Sequence, residues 1–326
     1  MEKINWGIIG CGDVTETKSG PAFNKVKNSS LVAVMRRDAE KAKDYAQRHH
    51  VPKWYNDADA LINDEEVNAI YIATPPAFHE EYALACLQAG KPVYVEKPMA
   101  LNLTSATNIM RFAKEKNIKL SVAHYRREQP LFKKIKQLLS DKIIGDVRFI
   151  KLEFYRKSLS RESLLVPKVA WRVNTKIAGG GLFHDIAPHQ LDLMYYFFGD
   201  IEKASGYAIN QEGMYDADDI VSGNILFKSG LIFNGLWSFN VAREDEADLC
   251  EIVGSEGKIS FPVFEHKKIE ITKNGKTESI AFEPLQHVQE PMIGKVVDYF
   301  LDKSDNPCSG EDGATVMWLM EKFTAG

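Results

Sequence analysis

The chain has 326 residues, 44% hydrophobic and 26% charged, a globular composition long enough for two domains with a core each. Its 41 basic and 45 acidic side chains give a formal net charge of -4, and with no dense basic block a nucleic-acid partner is excluded. Four cysteines at 11, 86, 250 and 308 form no CxxC pair, which excludes a zinc knuckle and a disulfide scaffold.

No apolar run approaches the ~20 residues of a membrane span, and the first residues run directly into a strand with no signal-peptide pattern. A cytoplasmic protein with reduced thiols and no membrane partner is expected. The basic stretch FKKIKQ at 132 to 137 is broken by apolar residues at helical spacing and reads as one solvated helix face.

The first third alternates short apolar runs with amphipathic helical patterns. INWGIIG (4–10), LVAVM (31–35), AIYIAT (69–74), PVYVEK (92–97) and KLSVAH (119–124) are strands, with stretches such as AEKAKDYAQRH and HEEYALACLQAG between them. That rhythm predicts a doubly wound parallel sheet, ending near residue 122.

Past residue 145 successive strand-like runs follow one another: DVRFIKLEFYR, DIVSGNILFKSGLIFNGLWSFNV, LCEIVGSEGKISF and KIEITKNGKTESIAF. Ser229-Gly230 and Asn274-Gly275 are the expected hairpin turns. A second domain, 123–326, is therefore expected around an antiparallel sheet, with EPMIGKVVDYFLDK and GATVMWLMEKF returning to helix. The fold class is α/β throughout.

GIIGCGDVT places Gly10 and Gly12 between the first strand and a helix opening at Asp13 and Val14, the context of a pyrophosphate-binding turn. Thr15 stands where a third glycine is usual. The second strand ends VAVMRRD: Arg36 and Arg37 suit a 2′-phosphate, favouring NADP(H) over NAD(H), unless both are solvated and Asp38 holds the ribose. ATPPAFH leaves the sheet at its carboxyl edge, where Ala73, Thr74 and Pro75 could cover a cofactor; equally, the prolines end the strand and His79 caps the next helix.

VYVEKPMA carries Glu96 and Lys97 to the same edge, before a proline that keeps the preceding residue extended. In AGGGLFHDIAPHQLD, Pro188 fits a first helical turn, so that helix is expected to start no earlier than about Asp185, with His189 one turn on and Asp192 beyond. Gly179, Gly180 and Gly181 would let the main chain pass a flat ligand without Cβ atoms. A histidine beside a carboxylate suits general acid and base work, although a helix cap at Asp185 and a packed His189 would give the same pattern.

The succession GIIGCG, ATPPAFH, VEKP and GGGLFHDIAPHQLD, spanning essentially the whole chain, resembles the Gfo/Idh/MocA oxidoreductase family. The resemblance implies a Rossmann domain followed by an α/β domain with a large, mostly antiparallel open sheet. It also implies hydride transfer between nicotinamide C4 and a carbinol or carbonyl carbon of a sugar, cyclitol or related polyol, without a metal.

By that resemblance the cofactor residues are Gly10, Gly12, Asp13, Val14, Arg36, Arg37, Ala73, Thr74, Pro75, His79, Glu96, Lys97 and Arg172. His189 exchanges the hydroxyl proton, Lys97 hydrogen-bonds the same oxygen, and Asp185 positions substrate or imidazole. AHYRREQP resembles the segment entering the second domain, and AWRVN the family's Trp-Arg motif, adding Tyr125 and Trp171 to the substrate contacts; both segments could instead be packing and surface charge. A homodimer or homotetramer through the second sheet is implied. The competing readings are a non-catalytic NADP(H) sensor and a redox-cycled glycoside hydrolase of the same fold.

Overall fold

The structure, a computed structural model, describes residues 2–265 and 267–325. It divides into two compact units, one of Met1–Gln129 with Leu285–Met317, the other of Pro130–Pro284 with Trp318–Gly326. The sequence suggested one cut near residue 122; the chain also returns to the first unit at Leu285. That return is sealed by packing. Phe300 lies 5.6 Å from the Trp6 ring, and Gly313 sits so close to Met99 that a Cβ there would lie 2.7 Å from the sulfur.

The first unit is built on a six-stranded parallel sheet of β1 (Ile4–Ile9), β2 (Ser29–Met35), β3 (Lys53–Tyr55), β4 (Ala69–Ile72), β5 (Val93–Val95) and β6 (Leu120–Val122). Its order is β3-β2-β1-β4-β5-β6, every neighbour parallel, as the alternating pattern predicts. β4, β5 and β6 are buried along their whole length, which explains their unbroken apolar runs. β3 was not expected: three residues are too short for a period-two signal, and Trp54 is exposed. The order reverses between β1 and β4, so their carboxyl ends open the crevice where such sheets bind ligands.

The second unit carries eight strands: β7 (Val147–Lys157), β8 (Ile201–Ile209), β9 (Ile220–Phe227), β10 (Ile232–Val241), β11 (Ala247–Gly254), β12 (Lys258–Phe261), β13 (Lys268–Lys273) and β14 (Lys276–Ala281). They run in the order β14-β13-β12-β11-β7-β10-β9-β8, antiparallel except where β7 meets β10. Both expected hairpins form. Asn274 and Gly275 each take positive φ between β13 and β14, as a two-residue turn of this hand requires.

One face of this sheet is core. Gly235, Gly223 and Gly206 stand in register across β10, β9 and β8, and Phe323 of the last helix (Gly310–Thr324) lies against the latter two, leaving no space for a Cβ at either. Trp237 of β10 donates to Gln190 Oε1 at 2.6 Å and meets the Phe183 ring edge-on at 5.2 Å. Both partners sit on the helix Gly181–Phe198, which the sheet therefore orients. FKKIKQ belongs to the helix Pro130–Ser140, whose Leu131, Phe132, Ile135 and Leu138 are buried.

Candidate active site

The carboxyl ends of β1, β2 and β4 lie side by side in the first unit. Gly10 N–H donates to the Met35 carbonyl at 2.9 Å and Ala73 N–H to the Ile9 carbonyl at 2.9 Å. Gly10 has φ +93, and a Cβ there would fall 2.7 Å from Thr74 Cγ2 and 2.9 Å from Thr74 N. Only glycine fits. Gly12 differs: its backbone is extended, and a Cβ would have Gly10 O at 3.9 Å as its sole neighbour within 4 Å.

Gly12 caps the helix Asp13–Thr17, whose first N–H groups, those of Asp13 and Val14, have no acceptor within it. Thr15 replaces the third glycine with a hydroxyl that donates to the Gly12 carbonyl at 2.8 Å and accepts from Gly12 N–H at 3.0 Å. The close approach expected of that glycine occurs instead at Gly20, where a Cβ would lie 2.2 Å from the Thr15 carbonyl oxygen and 2.3 Å from the Tyr45 hydroxyl. Gly20 was not singled out from sequence; the Gly20-Pro21 pair was the available signal.

Arg36 reaches back from the end of β2 to donate from Nη1 to the Cys11 carbonyl at 3.3 Å, placing its cation beside the glycine turn. Arg37 covers the Phe78 ring at 5.0 Å. Asp38, the alternative ribose partner, caps the helix Ala39–Arg48, accepting from Lys41 N–H at 3.2 Å and pairing with the Lys41 ammonium at 2.9 Å. Burial pushes the Cys11 thiol up to about 11, so it adds no negative charge to the turn at neutral pH. Glu16, gripped by Arg48 at 2.8 Å and 2.9 Å and by His49, is held down to about 2.

The buried Thr74 hydroxyl oxygen has no hydrogen-bond partner among the described residues. That orphan group, the space above Gly12 and the Arg36 guanidinium together fit a nicotinamide dinucleotide. His79 and Glu96 are both buried and held by the protein's own groups. His79 opens the helix His79–Gln88 but is fully buried, its ring nitrogens 2.7 Å from the Thr74 carbonyl and 3.0 Å from that of Pro98; it ties together two loops instead of offering an edge to a ligand. The Glu96 carboxylate is buried, so it needs partners: Oε1 accepts from the Tyr71 hydroxyl at 2.5 Å and Gln289 Nε2 at 2.6 Å, and Oε2 from Lys97 N–H at 3.1 Å.

Tyr71 and Gln289 are site-supporting residues that sequence reasoning missed, and Gln289 lies 193 residues from the group it serves. Lys97 is half-buried at the Lys97-Pro98 cis peptide. Its ammonium, after burial and the Arg127 cation, helps hold the His124 imidazole down to about 3. Tyr125 is buried, with the Arg126 guanidinium over its ring at 5.5 Å.

In the second unit the helix Gly181–Phe198 begins four residues before the expected start, and Pro188 lies inside it. The proline removes one main-chain donor, which tertiary packing on Trp237 tolerates. Asp185 and His189 are one turn apart on this helix; His189 is only 5% exposed, its ring edge-on to Phe264 at 5.7 Å, and Asp192 is buried. Arg172, at the end of the helix Pro167–Val173, donates from Nε to Asp185 Oδ2 at 3.1 Å and covers the Trp171 ring at 4.6 Å.

Two of the three glycines, Gly180 and Gly181, are packed against the protein's own side chains. A Cβ at Gly180 would lie 2.0 Å from His184 Nδ1, and one at Gly181, with φ +68, 2.4 Å from Ala217 Cβ. The bare backbone accommodates the protein's own side chains. Among the described residues no group of three His, Cys, Asp or Glu is placed to hold a metal, and no helix is long and apolar enough to cross a membrane.

Comparison with known proteins agrees with this architecture. Residues 4–124 match the model of an oxidoreductase family with an NAD-binding Rossmann fold, and residues 132–260 match the GFO/IDH/MocA C-terminal domain. Oxidoreductase P35 of Formosa agariphila is 49% identical over 322 residues, 98% of each chain. Trans-1,2-dihydrobenzene-1,2-diol dehydrogenase of Xenopus laevis is 28% identical over 295 residues, 88% of this chain and 83% of that protein. A levoglucosan dehydrogenase, solved with NADH and levoglucosan, superposes with a TM-score of 0.84 at 20% identity, covering 98% of this chain and 96% of its own. With both halves matched and a parallel six-stranded sheet followed by a large, mostly antiparallel one, the chain is an oxidoreductase of the Gfo/Idh/MocA family.

Proposed function

We propose that the chain transfers hydride between NADP(H) and the carbinol or carbonyl carbon of a sugar, cyclitol or related polyol. The observation that carries this reading is that Asp185 and a buried His189 stand one turn apart on the same helix. The relatives named for a diol and for levoglucosan support the substrate class. Arg36 beside the Cys11 carbonyl, with Asp38 committed to a helix cap, supports the 2′-phosphate.

In oxidation the substrate hydroxyl gives its proton to the His189 ring while the carbinol hydrogen leaves as hydride. The bound nicotinamide supplies the hydride acceptor or, in reduction, the donor. Lys97 hydrogen-bonds the reacting oxygen and stabilises its developing negative charge. Asp185, steadied by Arg172, orients substrate or imidazole. A homodimer or homotetramer forms through the outer face of the second sheet, a reading supported by exposed Tyr207 (74%) and Ile209 (53%) on β8, Ile232 and Leu236 on β10, and Leu249 on β11.

The test is calorimetric titration with NADPH and NADH, then a polyol and carbonyl panel followed at the nicotinamide absorbance, on the wild type and His189→Ala. Tight NADPH binding, turnover by the wild type and its loss in the variant support the proposal. Turnover unchanged in His189→Ala removes that residue from the mechanism; binding without turnover on any compound favours a sensor of the same fold.

A further inference from the structure

Where the chain returns to the first unit, four consecutive residues, Gln286 to Gln289, are each fastened to a different part of that unit. Gln286 Oε1 accepts from the Lys25 ammonium at 2.8 Å. His287 Nδ1 donates to the Thr17 carbonyl at 2.6 Å, and the Val288 carbonyl accepts from Gln129 Nε2 at 3.1 Å. Gln289 N–H donates to the Lys18 carbonyl at 3.2 Å, and its side-chain Nε2 to Glu96 Oε1 at 2.6 Å. This short strap runs from the end of the helix Asp13–Thr17, which follows the glycine turn, to the residue before Lys97.

The last link of the strap carries an energetic penalty. Gln289 is fully buried, yet its Oε1 has no hydrogen-bond partner among the described residues. An amide with one unmet oxygen, buried against a carboxylate, is less favourable than an apolar pair of the same size. Packing alone does not account for these residue types; what they add is direction. The second donor, the Tyr71 hydroxyl, is also fully buried, its ring stacked on that of Tyr94 at 5.2 Å. Burial and the Glu96 charge push the Tyr71 phenol well up, so it remains protonated and donates. With Oε1 held by donors from two different elements, Oε2 is aimed at the Lys97 N–H, 3.1 Å away. Pro98 has no N–H to add to that bond.

We propose that Gln289 is a positioning residue for the hydride transfer described above: with Tyr71 it fixes the Glu96 carboxylate, which holds the main chain of Lys97 so that the ammonium is offered to the reacting oxygen. The assignment rests on the reading of Lys97 as the group that hydrogen-bonds that oxygen. Without either donor the carboxylate turns toward the one that remains and releases the Lys97 N–H. The ammonium then samples directions that do not stabilise the charge developing on the oxygen.

The experiment uses Gln289→Met, which keeps the length of the side chain and removes its donor, and Tyr71→Phe, which keeps the ring and removes the other donor. Each is made alone and in a Lys97→Met background, and kcat, KM and NADPH affinity are measured on D-glucose, levoglucosan and myo-inositol. We expect kcat to fall about 10–100-fold in each single variant with NADPH affinity little changed, and neither substitution to cost more once Lys97 is gone, as for groups that act as a unit. Should Gln289→Met fail to fold, the Tyr71→Phe cycle decides. Unchanged kcat in the single variants, or losses that add fully to that of Lys97→Met, overturn the positioning role and leave hydride transfer intact. Wild-type kcat in Lys97→Met overturns the reading of Lys97 and the positioning role with it. If the wild type turns over none of the three compounds, trace acetylation of the full-length protein by acetic anhydride, read by peptide mass, decides. Faster reaction at Lys97 in the variants, with the other lysines unchanged, upholds the positioning role; an unchanged Lys97, or a uniform rise at all lysines, overturns it.

Discussion

Gly10 and Thr74 are in contact so close that a single added carbon at residue 10 would sit 2.7 Å from Thr74 Cγ2. With φ at +93 as well, Gly10→Ala meets strain and overlap together and is expected to cost about 2–4 kcal/mol. Gly12→Ala, extended and open, should leave the thermal midpoint nearly unchanged yet weaken NADPH binding at least tenfold, because its Cβ enters the space a phosphate would take. Melting curves and titrations of the two variants separate fold from site. Equal loss of stability in both would refute the distinction.

Arg36→Ala is expected to weaken NADPH by roughly 10–100-fold, the scale of one or two charge-assisted hydrogen bonds, and NADH by less than threefold. Competitive titration of the two nucleotides measures this. An equal effect on both would mean that Arg36 serves only the Cys11 carbonyl.

Glu96→Ala strips two buried donors of their acceptor, the Tyr71 hydroxyl and the Gln289 amide. The expected loss is about 3 kcal/mol in urea unfolding. Glu96→Gln, which keeps an acceptor oxygen, should recover more than half of it, and a null result in both variants would show that the network carries no stability.

His184 and His124 set an acid limit. Burial holds the His184 imidazole down from 6.5 to about 4, and burial with the Arg127 cation holds His124 down to about 3. In each case the unfolded chain binds a proton that the folded chain does not, so stability is full above about pH 6.5 and falls as pH drops toward the folded values. His184 alone accounts for on the order of 3 kcal/mol between pH 6.5 and 4. Urea midpoints across that range should slope downward with acid in the wild type and less steeply in His184→Gln; parallel slopes would exclude His184.

Local patterns were readable in the sequence, and long-range pairings were not. Gly10 and Gly12 announce a tight turn, and β4 to β6 read as buried strands because both faces are covered. β8 escapes notice because its residues are mostly exposed and polar alternation is weak at a sheet edge. The Gly180–His184 contact shows why a glycine run is ambiguous: missing side chains make room for any neighbour, ligand or protein, and only the tertiary arrangement says which. Likewise nothing around Glu96 signals that its partner is Gln289. Pro188 misled because a proline is costly inside an isolated helix, whereas this helix is secured by the sheet beneath it.

The Glu96–Gln289 hydrogen bond also bears on biosynthesis. Because 193 positions separate the two residues, the nascent dinucleotide-binding unit leaves the ribosome with an ionisable group in its interior and no amide to meet it. Nearly the whole polypeptide must be translated before this half of the molecule can close. An expression product truncated at residue 122 would carry the glycine turn but lack Gln289, Phe300 and Gly313, and would be exposed to proteolysis and aggregation in a way the full-length chain is not.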